Sequence, residues 1–351
     1  MKRLSSRLAI AGVTGLTGAA VALSLGAPAN AAGTSYVALG DSYSSGTGTR
    51  TYISDGTSCQ RSVYAYPSLD AAALSLSLNF RACSGATVAD VTNTQLSALT
   101  TATAYVTISV GGNDAGFASV LTTCAQPSWL SNCYGAIDKA NSFINTTLPG
   151  RLTTLYSAIK AKAPAARVIV VGYPRIFNGE DCNLLTWFSP TEESRLNATA
   201  DLLNSKTQAA AAAAGFQFAN PTSRFIGHAV CDDVEWLNGL SSPVSESYHP
   251  NRAGHRDGYA VVTKPAFGLT TTLSAAATTA KAERSAARLA KDAQRYAAAD
   301  RTITPERIAA PDLTSPAAKA AAARAGVDLS SRASIDAADR RYDALQLAAR
   351  G

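Results

Sequence analysis

One serine stands where a serine can act as a nucleophile. The segment YVALGDSYSSG, residues 36–46, runs from a short apolar stretch of strand-forming residues into a glycine-rich turn that holds Ser42. In an open α/β sheet, ligands bind outside the carboxyl ends of the strands, so Ser42 lies where chemistry is usually done. Gly-Asp-Ser is also ordinary turn sequence, and this motif alone leaves that interpretation open.

A serine hydroxyl needs a general base, which is usually a histidine. The chain has three histidines. His228, close to Cys231, is expected to order a loop, and His255 is expected to pack in or cap a helix. His249 lies in the segment ESYHPN, where Pro250 fixes the backbone that follows, so a loop can aim its imidazole. We predict that His249 is the base.

The base in turn needs an acceptor that orients its Nδ1–H group. Glu246 is three residues before His249, and a local turn can bring its side chain or its backbone carbonyl within reach. The sequence leaves open which oxygen acts. Asp41 is a weaker candidate, because the residue beside a nucleophile in such a turn tends to hold the turn itself.

Acyl transfer also needs hydrogen-bond donors for the developing oxyanion. The segment ACSGAT places Gly85 in a turn after a predicted strand, where its N–H can face a ligand without a Cβ atom in the way. The segment VGGND places Asn113, which has an amide to donate, directly after another strand. Each segment is also a good turn sequence, but together they supply a nucleophile, two donors and a base in chain order.

The elements that must position these residues alternate between strands and helices. Apolar runs predict buried parallel strands within 35–40, 76–83, 104–114, 166–174 and 216–220. Helical spacing or helix-start signals mark residues 137–163, 189–215 and 251–264. We therefore predict one catalytic domain, residues 32–263, built as a parallel sheet with helices on both faces.

The composition changes after residue 263. The tail, residues 264–351, is dominated by Ala with Arg, Lys and Asp, and helices are predicted over 279–300, 316–325 and 333–350. Because large side chains are too few for a separate core, we expect exposed or loosely docked helices with a flexible connection between Thr302 and Pro316. A segment for attachment or partner binding is the alternative, and the sequence does not define its role.

The amino terminus is typical of a secretory signal peptide. Residues 1–31 have a basic start, a short apolar stretch and an A-x-A site that ends at Ala31. A membrane anchor is the alternative, but glycines and threonines interrupt the apolar part and no second apolar span follows. We predict a secreted, extracellular protein without stable membrane insertion.

Six cysteines, an even number, fit an exported chain that forms three disulfides. Six cysteines allow 15 pairings. Sequence neighbours suggest the pairs Cys59–Cys83, Cys124–Cys133 and Cys182–Cys231. A zinc site would need closely spaced C-x-x-C pairs, which the sequence lacks.

The net charge of +6 is unevenly distributed along the chain. Residues 34–263 carry 14 basic and 16 acidic side chains, whereas residues 264–351 carry 14 basic and 9 acidic side chains. The basic character belongs to the leader and the tail. This distribution argues against a catalytic domain that binds nucleic acid.

Four segments resemble the four blocks of the SGNH/GDSL hydrolase superfamily, namely GDSYSSG, CSGAT, GGND and ESYHPN. The sequence ALGDSYSSG most resembles secreted actinobacterial GDSL lipases and esterases. The resemblance spans about residues 34–263. It implies a flavodoxin-like three-layer α/β/α fold and metal-free ester hydrolysis. We expect a monomer that needs no cofactor, although the sequence does not fix the oligomeric state. The resemblance also implies an oxyanion hole made by the N–H groups of Ser42 and Gly85 with the amide of Asn113, and it supports pairing the cysteines as neighbours.

Two features depart from the superfamily pattern. Its usual last block is Asp-x-x-His, whereas here Glu246 takes the acidic position, and in some relatives a backbone carbonyl replaces the carboxylate. The tail has no counterpart in the compact lipases of this group. The resemblance implies a lipid substrate first and a carbohydrate O-acetyl ester second, because the same four blocks serve both. A non-catalytic binding protein that acts through its tail is the alternative from another class.

Overall fold

A five-stranded, fully parallel sheet forms the centre of the computed structural model, which describes residues 34–305 and 307–350. The strands are β1 Ser35–Gly40, β2 Ser77–Phe80, β3 Tyr105–Ser109, β4 Arg167–Val171 and β5 Gln217–Ala219. Each lies inside a segment predicted from its apolar run, so those predictions are confirmed. The predicted signal peptide, residues 1–31, lies outside the described residues.

The strand order, β2-β1-β3-β4-β5, determines where a site can form. The chain moves to one side of β1 to form β2 and then returns to the other side to form β3. Connections that leave adjacent strands in opposite directions open a crevice at the carboxyl ends of those strands. Gly40, the last residue of β1, pairs with Ser109, the last residue of β3. The segments that follow the two strands therefore emerge side by side.

Helices flank the sheet and continue into the tail. The α-helices are α1 Ser42–Ser45, α2 Tyr66–Leu74, α3 Val88–Asp90, α4 Phe117–Cys124, α5 Cys133–Thr146, α6 Leu148–Lys162, α7 Pro190–Ala213, α8 Ala260–Thr263, α9 Ala275–Arg284, α10 Ala286–Ala293, α11 Ala297–Asp300, α12 Pro316–Ala325 and α13 Arg332–Ala348. Among the described residues, no helix has both the length and the apolarity needed to span a membrane.

Local sequence explains where the helices begin. Helix α7 starts with a capping box, in which the Ser189 hydroxyl accepts from the Glu192 N–H and the Glu192 carboxylate accepts from the Ser189 N–H. The helical segment predicted over 137–163 is two helices rather than one. Pro149 stands at the start of α6, where its missing N–H costs nothing, and the chain is interrupted at Thr147.

The helices cover the sheet and form the outer layers of an α/β/α fold. Helices α4, α5, α6 and α7 pack against one another in one group, and α2 packs with α8 and α9 in another. The strands are buried. Four of their side chains have no exposed surface: Val106, Ile108, Ile169 and Val170. The predicted fold class is confirmed, and it includes a helical C-terminal region.

Three disulfides tie together loops within residues 34–263, the described part of the predicted catalytic domain. They join Cys59 to Cys83, Cys124 to Cys133, and Cys182 to Cys231. These are the pairs of sequence neighbours named above. The first pair lies beside the turn that contains Gly85.

The expectation that the tail is loosely docked is wrong. The Asp300 carboxylate, at the end of α11, is fully buried and pairs with Arg61 at 2.6 Å and with Arg81 at 2.8 Å. Both arginines belong to the catalytic domain and are themselves buried. A buried guanidinium needs an opposite charge nearby. Arg61 also pairs with the buried Asp55 at 2.7 Å, so the tail supplies the second of the two negative charges that balance these arginines.

The end of the tail docks at a second place. A small apolar cluster combines Trp129 and Trp187 of the catalytic domain with Ile335 and several alanines of α12 and α13. The indole N–H of Trp187 donates to Asp336 at 3.0 Å. The tail does not form a core of its own, as predicted, but it completes one with two tryptophans of the domain.

Candidate active site

The backbone around Ser42 is held from two sides. The Gln95 side-chain amide makes two hydrogen bonds to the backbone of Gly40. Its Oε1 atom accepts from the Gly40 N–H at 2.7 Å, and its Nε2 atom donates to the Gly40 carbonyl at 2.9 Å. Gly40 has φ +122°, and a Cβ atom there would lie 2.4 Å from the Ser109 carbonyl oxygen. Glycine is therefore required at the strand end, and Ser42 follows at the first turn of α1.

Ser42 and His249 meet across the crevice although 207 residues separate them. The Ser42 Oγ atom lies 2.8 Å from His249 Nε2. His249 Nδ1 lies 2.8 Å from the carbonyl oxygen of Ser247. A carbonyl can only accept, so Nδ1 carries the proton and Nε2 presents its lone pair to the Ser42 hydroxyl. This is the tautomer that a general base requires.

Burial keeps this imidazole neutral. Desolvation lowers the pKa of His249 to about 4, and the hydrogen bond to the Ser247 carbonyl opposes that shift only in part. At pH 7 the ring is therefore unprotonated at Nε2. A neutral ring can accept the serine proton without first losing one.

The Glu246 carboxylate, one of the two acceptors that the sequence left open, does not orient His249. Its Oε1 atom accepts from the Tyr52 hydroxyl at 2.6 Å, and its Oε2 atom faces Arg50 at 3.6 Å. The acceptor that orients His249 is instead the Ser247 carbonyl. Neither oxygen of Glu246 acts on His249, because the short helical turn that ends at Glu246 leaves its side chain on Tyr52 and its carbonyl accepts from the Asn238 amide at 3.2 Å.

Asp41 holds the turn, as expected. Its carboxylate caps α1 by accepting from the Tyr43 N–H at 3.0 Å, and it accepts from the Ser109 hydroxyl at 2.8 Å. The Tyr173 hydroxyl donates to the same carboxylate. Burial raises the pKa of Asp41 to about 6, and these hydrogen bonds oppose the shift. Sequence reasoning missed Tyr173, because it lies on a different strand end and no local motif marks it.

Gly85 and Asn113 line the same cavity as Ser42 and His249. Gly85 adopts φ +84°, a conformation that favours glycine. One N–H of the Asn113 amide is donated to the Ala86 carbonyl at 3.0 Å, which fixes the side chain. An amide carries two such protons, so the second is available for a ligand. The structure thus brings together all four residues that the sequence selected.

The other two histidines lie outside this arrangement. The His228 ring stacks on Trp236 with centroids 3.7 Å apart, and its Nδ1 atom lies 2.7 Å from the Val234 carbonyl oxygen. His255 is fully buried and accepts from the Tyr66 N–H at 3.3 Å. Both have the structural roles that the sequence predicted.

The cavity beside Ser42 has a volume of about 300 Å³ and is mainly apolar. Its apolar lining comes from α4, α5 and α7, and includes Phe117, Val120, Ile144, Leu196 and Leu203. Pro305, Arg307 and Ile308 of the tail also line it. Sequence reasoning missed these three, because the composition of the tail gives no sign that it reaches the site.

Comparison with known proteins shows that this chain is similar to lipases. Residues 38–256 match the model of the GDSL-like Lipase/Acylhydrolase family. Lipase 1 of Streptomyces coelicolor is 46% identical over 257 residues, which are 72% of this chain and 93% of that protein. A lipase of Streptomyces rimosus is 43% identical over 262 residues, which are 73% of this chain and 97% of that protein.

Solved structures give the same result. The extracellular lipase of Streptomyces rimosus superposes with a TM-score of 0.63 at 43% identity and covers 66% of this chain and 99% of its own. Phospholipase A1 of Streptomyces albidoflavus has a TM-score of 0.63 at 42% identity and covers 67% and 99%. Nearly all of each relative is matched, whereas a large part of this chain is not.

Proposed function

We propose a function for this chain, which belongs to the GDSL-like Lipase/Acylhydrolase family and is an ester hydrolase. The chain is a secreted lipase that works through an acyl-enzyme on Ser42. The observation that carries this proposal is the 2.8 Å contact between Ser42 Oγ and His249 Nε2, with Nδ1 of the same ring bound to a carbonyl. A nucleophile beside an oriented base is the arrangement that acyl transfer needs.

Acylation begins when His249 Nε2 takes the Ser42 proton and Oγ attacks the ester carbonyl carbon. The carbonyl π electrons move to oxygen, which gives a tetrahedral oxyanion. The oxyanion is stabilised by the N–H groups of Ser42 and Gly85 and by the second amide proton of Asn113. As the intermediate collapses, the protonated His249 donates its proton to the leaving alkoxide, and the alcohol departs.

Deacylation repeats the sequence with water. His249 takes a proton from water, and the hydroxide attacks the Ser42 acyl carbon. The second oxyanion collapses, the Ser42 oxygen recovers a proton from His249, and the acid is released. The Ser247 carbonyl acts as a positioning group in both steps, because it holds the ring in one tautomer and stabilises the imidazolium.

A lipid ester is the substrate that the cavity favours. Side chains such as Phe117, Ile144 and Leu203 present apolar surface to a ligand next to the nucleophile. Burying an acyl chain against such surface is worth about 0.8 kcal/mol for each methylene group. The names of the relatives, which are lipases and a phospholipase A1, support the same substrate class.

Export is part of the proposal. The predicted signal peptide and the three disulfides both fit an oxidising compartment outside the cell. One of the similar structures is an extracellular lipase. Secretion of the mature chain from a host that carries the full gene, with cleavage after Ala31, would test this part.

The central experiment is hydrolysis of p-nitrophenyl esters by the mature chain and by Ser42→Ala. We expect Ser42→Ala to lower kcat/KM by at least about 10⁴-fold, because the nucleophile is lost while substrate binding remains. Thermal unfolding of the variant should match that of the wild type.

A control and a label make the result specific. Ser157→Ala removes an exposed hydroxyl on α6 and should leave kcat/KM within about twofold. A fluorophosphonate probe should label the wild type and Ser157→Ala but not Ser42→Ala. Hydrolysis by Ser42→Ala at a near-wild-type rate would show that Ser42 is not the nucleophile.

A further inference from the structure

Part of the segment between α11 and α12 lines the cavity beside Ser42. We call residues 301–305 and 307–309 the tail strap. At one end, the buried Asp300 anchors the strap to Arg61 and Arg81. At the other end, the Ala309 N–H donates to the Thr122 hydroxyl of α4 at 3.0 Å. Both described parts of the strap are therefore tied to residues 34–263.

The strap lies directly on one of the four site residues. A Cβ atom built on Gly85 would lie 2.3 Å from Pro305 Cα, so the backbone of the strap is in contact with the Gly85 backbone. Only a residue without a side chain permits this approach. The absence of a Cβ atom at position 85 therefore makes room for the tail as well as for a ligand.

Ile308 turns inward from the strap. Its side chain is 4% exposed and belongs to the main apolar core. It lines the cavity that also contains Ser42, together with apolar residues of α4 such as Phe117 and Val120. The strap thus contributes an apolar side chain to the volume beside the nucleophile.

The strap is an addition to the family domain. The family match ends at residue 256, and the similar structures are almost fully covered by about two thirds of this chain. Everything that forms the catalytic contact between Ser42 and His249 lies before residue 256. The strap therefore changes the shape of the cavity without supplying the catalytic contact.

We infer that the tail strap forms a wall of the acyl-binding cavity and that Ile308 is a specificity-determining residue that limits the length of the acyl chain. This inference rests on the proposed function, since it assigns the cavity to the acyl group of an ester. The cavity is the apolar volume next to Ser42, and the acyl chain is the apolar part of the substrate. Ile308 occupies space that a longer chain would fill.

The size of the effect follows from the size of the side chain. Replacing isoleucine by alanine removes three carbon atoms, so the cavity gains room for about two to three methylene groups. A single methylene group in an apolar pocket changes kcat/KM by about tenfold or more. A change of this kind should alter the preference between chain lengths rather than the rate on all esters.

The test is kcat/KM on p-nitrophenyl esters from acetate to palmitate for the mature wild type and Ile308→Ala. We expect Ile308→Ala to raise the ratio of laurate to butyrate hydrolysis at least about tenfold and to move the preferred chain to a longer one. Ile308→Phe should shift the ratio in the opposite direction. Ile308→Val, which removes one methyl group, gives a smaller shift and serves if the alanine variant is unstable.

Ile303→Ala is the matched control. Ile303 is on the same strap and is 3% exposed, but it does not line the cavity. Its substitution loosens the strap to a similar extent without enlarging the cavity, so the laurate-to-butyrate ratio should stay within about twofold. An equal shift in both variants would overturn the role of Ile308 and assign the effect to movement of the whole strap. An unchanged or lower ratio in Ile308→Ala would also overturn it.

The same experiment separates this inference from the proposed function. If the wild type hydrolyses none of the esters and takes no fluorophosphonate label, the proposed function fails. If the wild type is active and labelled but Ile308→Ala keeps the wild-type chain-length preference, only the role of Ile308 fails.

Discussion

Residues 34–263 and the tail are held in place by different interactions. The catalytic domain buries a continuous apolar sheet, in which strand residues such as Val106 and Ile169 have no exposed surface. The tail has few large side chains, and it docks at three kinds of place: a buried ion-pair cluster around Asp300, a small apolar cluster around Ile335, and single apolar side chains such as Phe267 and Ile308 that join the main core. The apolar content of a segment thus predicts whether it has its own core, but not whether it docks on another one.

Helix α13 shows how a polar segment docks. Its contact residues fall three or four positions apart and therefore lie on one face of the helix. These residues are Asp336, Asp339, Asp343 and Gln346, and Arg350, just after the helix, adds an ion pair with Asp138. Their partners are side chains and backbone groups of the catalytic domain, so specific hydrogen bonds replace much of the apolar contact that such a helix would otherwise need.

The largest expected effect on stability tests the ion-pair cluster. Asp300→Ala leaves the Arg81 guanidinium buried without its carboxylate, and burial already lowers the pKa of Arg81. Removing one partner of a buried ion pair costs about 3–5 kcal/mol. We expect the free energy of unfolding, measured in urea with the disulfides intact, to fall by about this amount.

Asp292→Ala is the control for this prediction. Asp292 forms ion pairs with Arg288 and Arg295 on the surface of the tail. Such exposed pairs contribute about 0–1 kcal/mol. Similar losses for Asp300→Ala and Asp292→Ala would show that the buried ion pairs at Asp300 stabilise the protein no more than exposed ion pairs do.

A second prediction tests the catalytic side of the comparison. Asn113→Ala removes the proposed oxyanion donor and should lower kcat by about 10²–10³-fold. The variant should lose little stability, because the amide makes one hydrogen bond to the Ala86 carbonyl, worth about 1 kcal/mol. Steady-state kinetics and thermal unfolding would measure the two effects separately.

Asn145→Ala, an exposed change on α5, provides the comparison for that variant and should leave both quantities unchanged. A kcat loss of less than about threefold for Asn113→Ala would show that the oxyanion is stabilised elsewhere. Together with Asp300→Ala, these variants should divide the molecule into a part that sets the rate and a part that sets stability.

The smallest expected effect concerns pH. Burial raises the pKa of Glu192 in α7 to about 8, and the nearby Asp343 and Asp339 of the tail add to the shift. In the unfolded chain the pKa is near the usual 4.5. The folded state therefore binds the proton more tightly, and stability rises as pH falls through 8. Glu193, with a pKa raised to about 7, acts in the same direction.

We expect the free energy of unfolding to rise by about 1 kcal/mol for Glu192 between pH 9 and pH 7. This window lies above the usual pKa of histidine, so the buried histidines do not oppose the effect there. Glu192→Gln preserves the shape of the capping side chain and should reduce the rise. A rise of the same size in Glu192→Gln would assign the pH dependence to other groups.

Much of the fold could be predicted because strands and helices leave local patterns. Five apolar runs marked the five strands, and the capping box at Ser189 marked the start of α7. The break between α5 and α6 was missed, since helical spacing continues across Thr147 while the backbone does not. The order of Ser42, Gly85, Asn113 and His249 along the chain indicated a site, because each follows a strand or lies in a loop.

The sequence by itself determined the nucleophile and base candidates, because glycine turns and strand ends are local features. Only the tertiary structure decided that the Ser247 carbonyl, rather than the Glu246 carboxylate, orients His249, since the choice depends on Tyr52, almost 200 residues away. It also decided that Pro305 lies on Gly85 and that Asp300 pairs with two arginines, Arg61 and Arg81, the first of which also pairs with Asp55. Contacts between segments far apart in the chain depend on how helices and loops pack in three dimensions, and composition and periodicity do not record that packing.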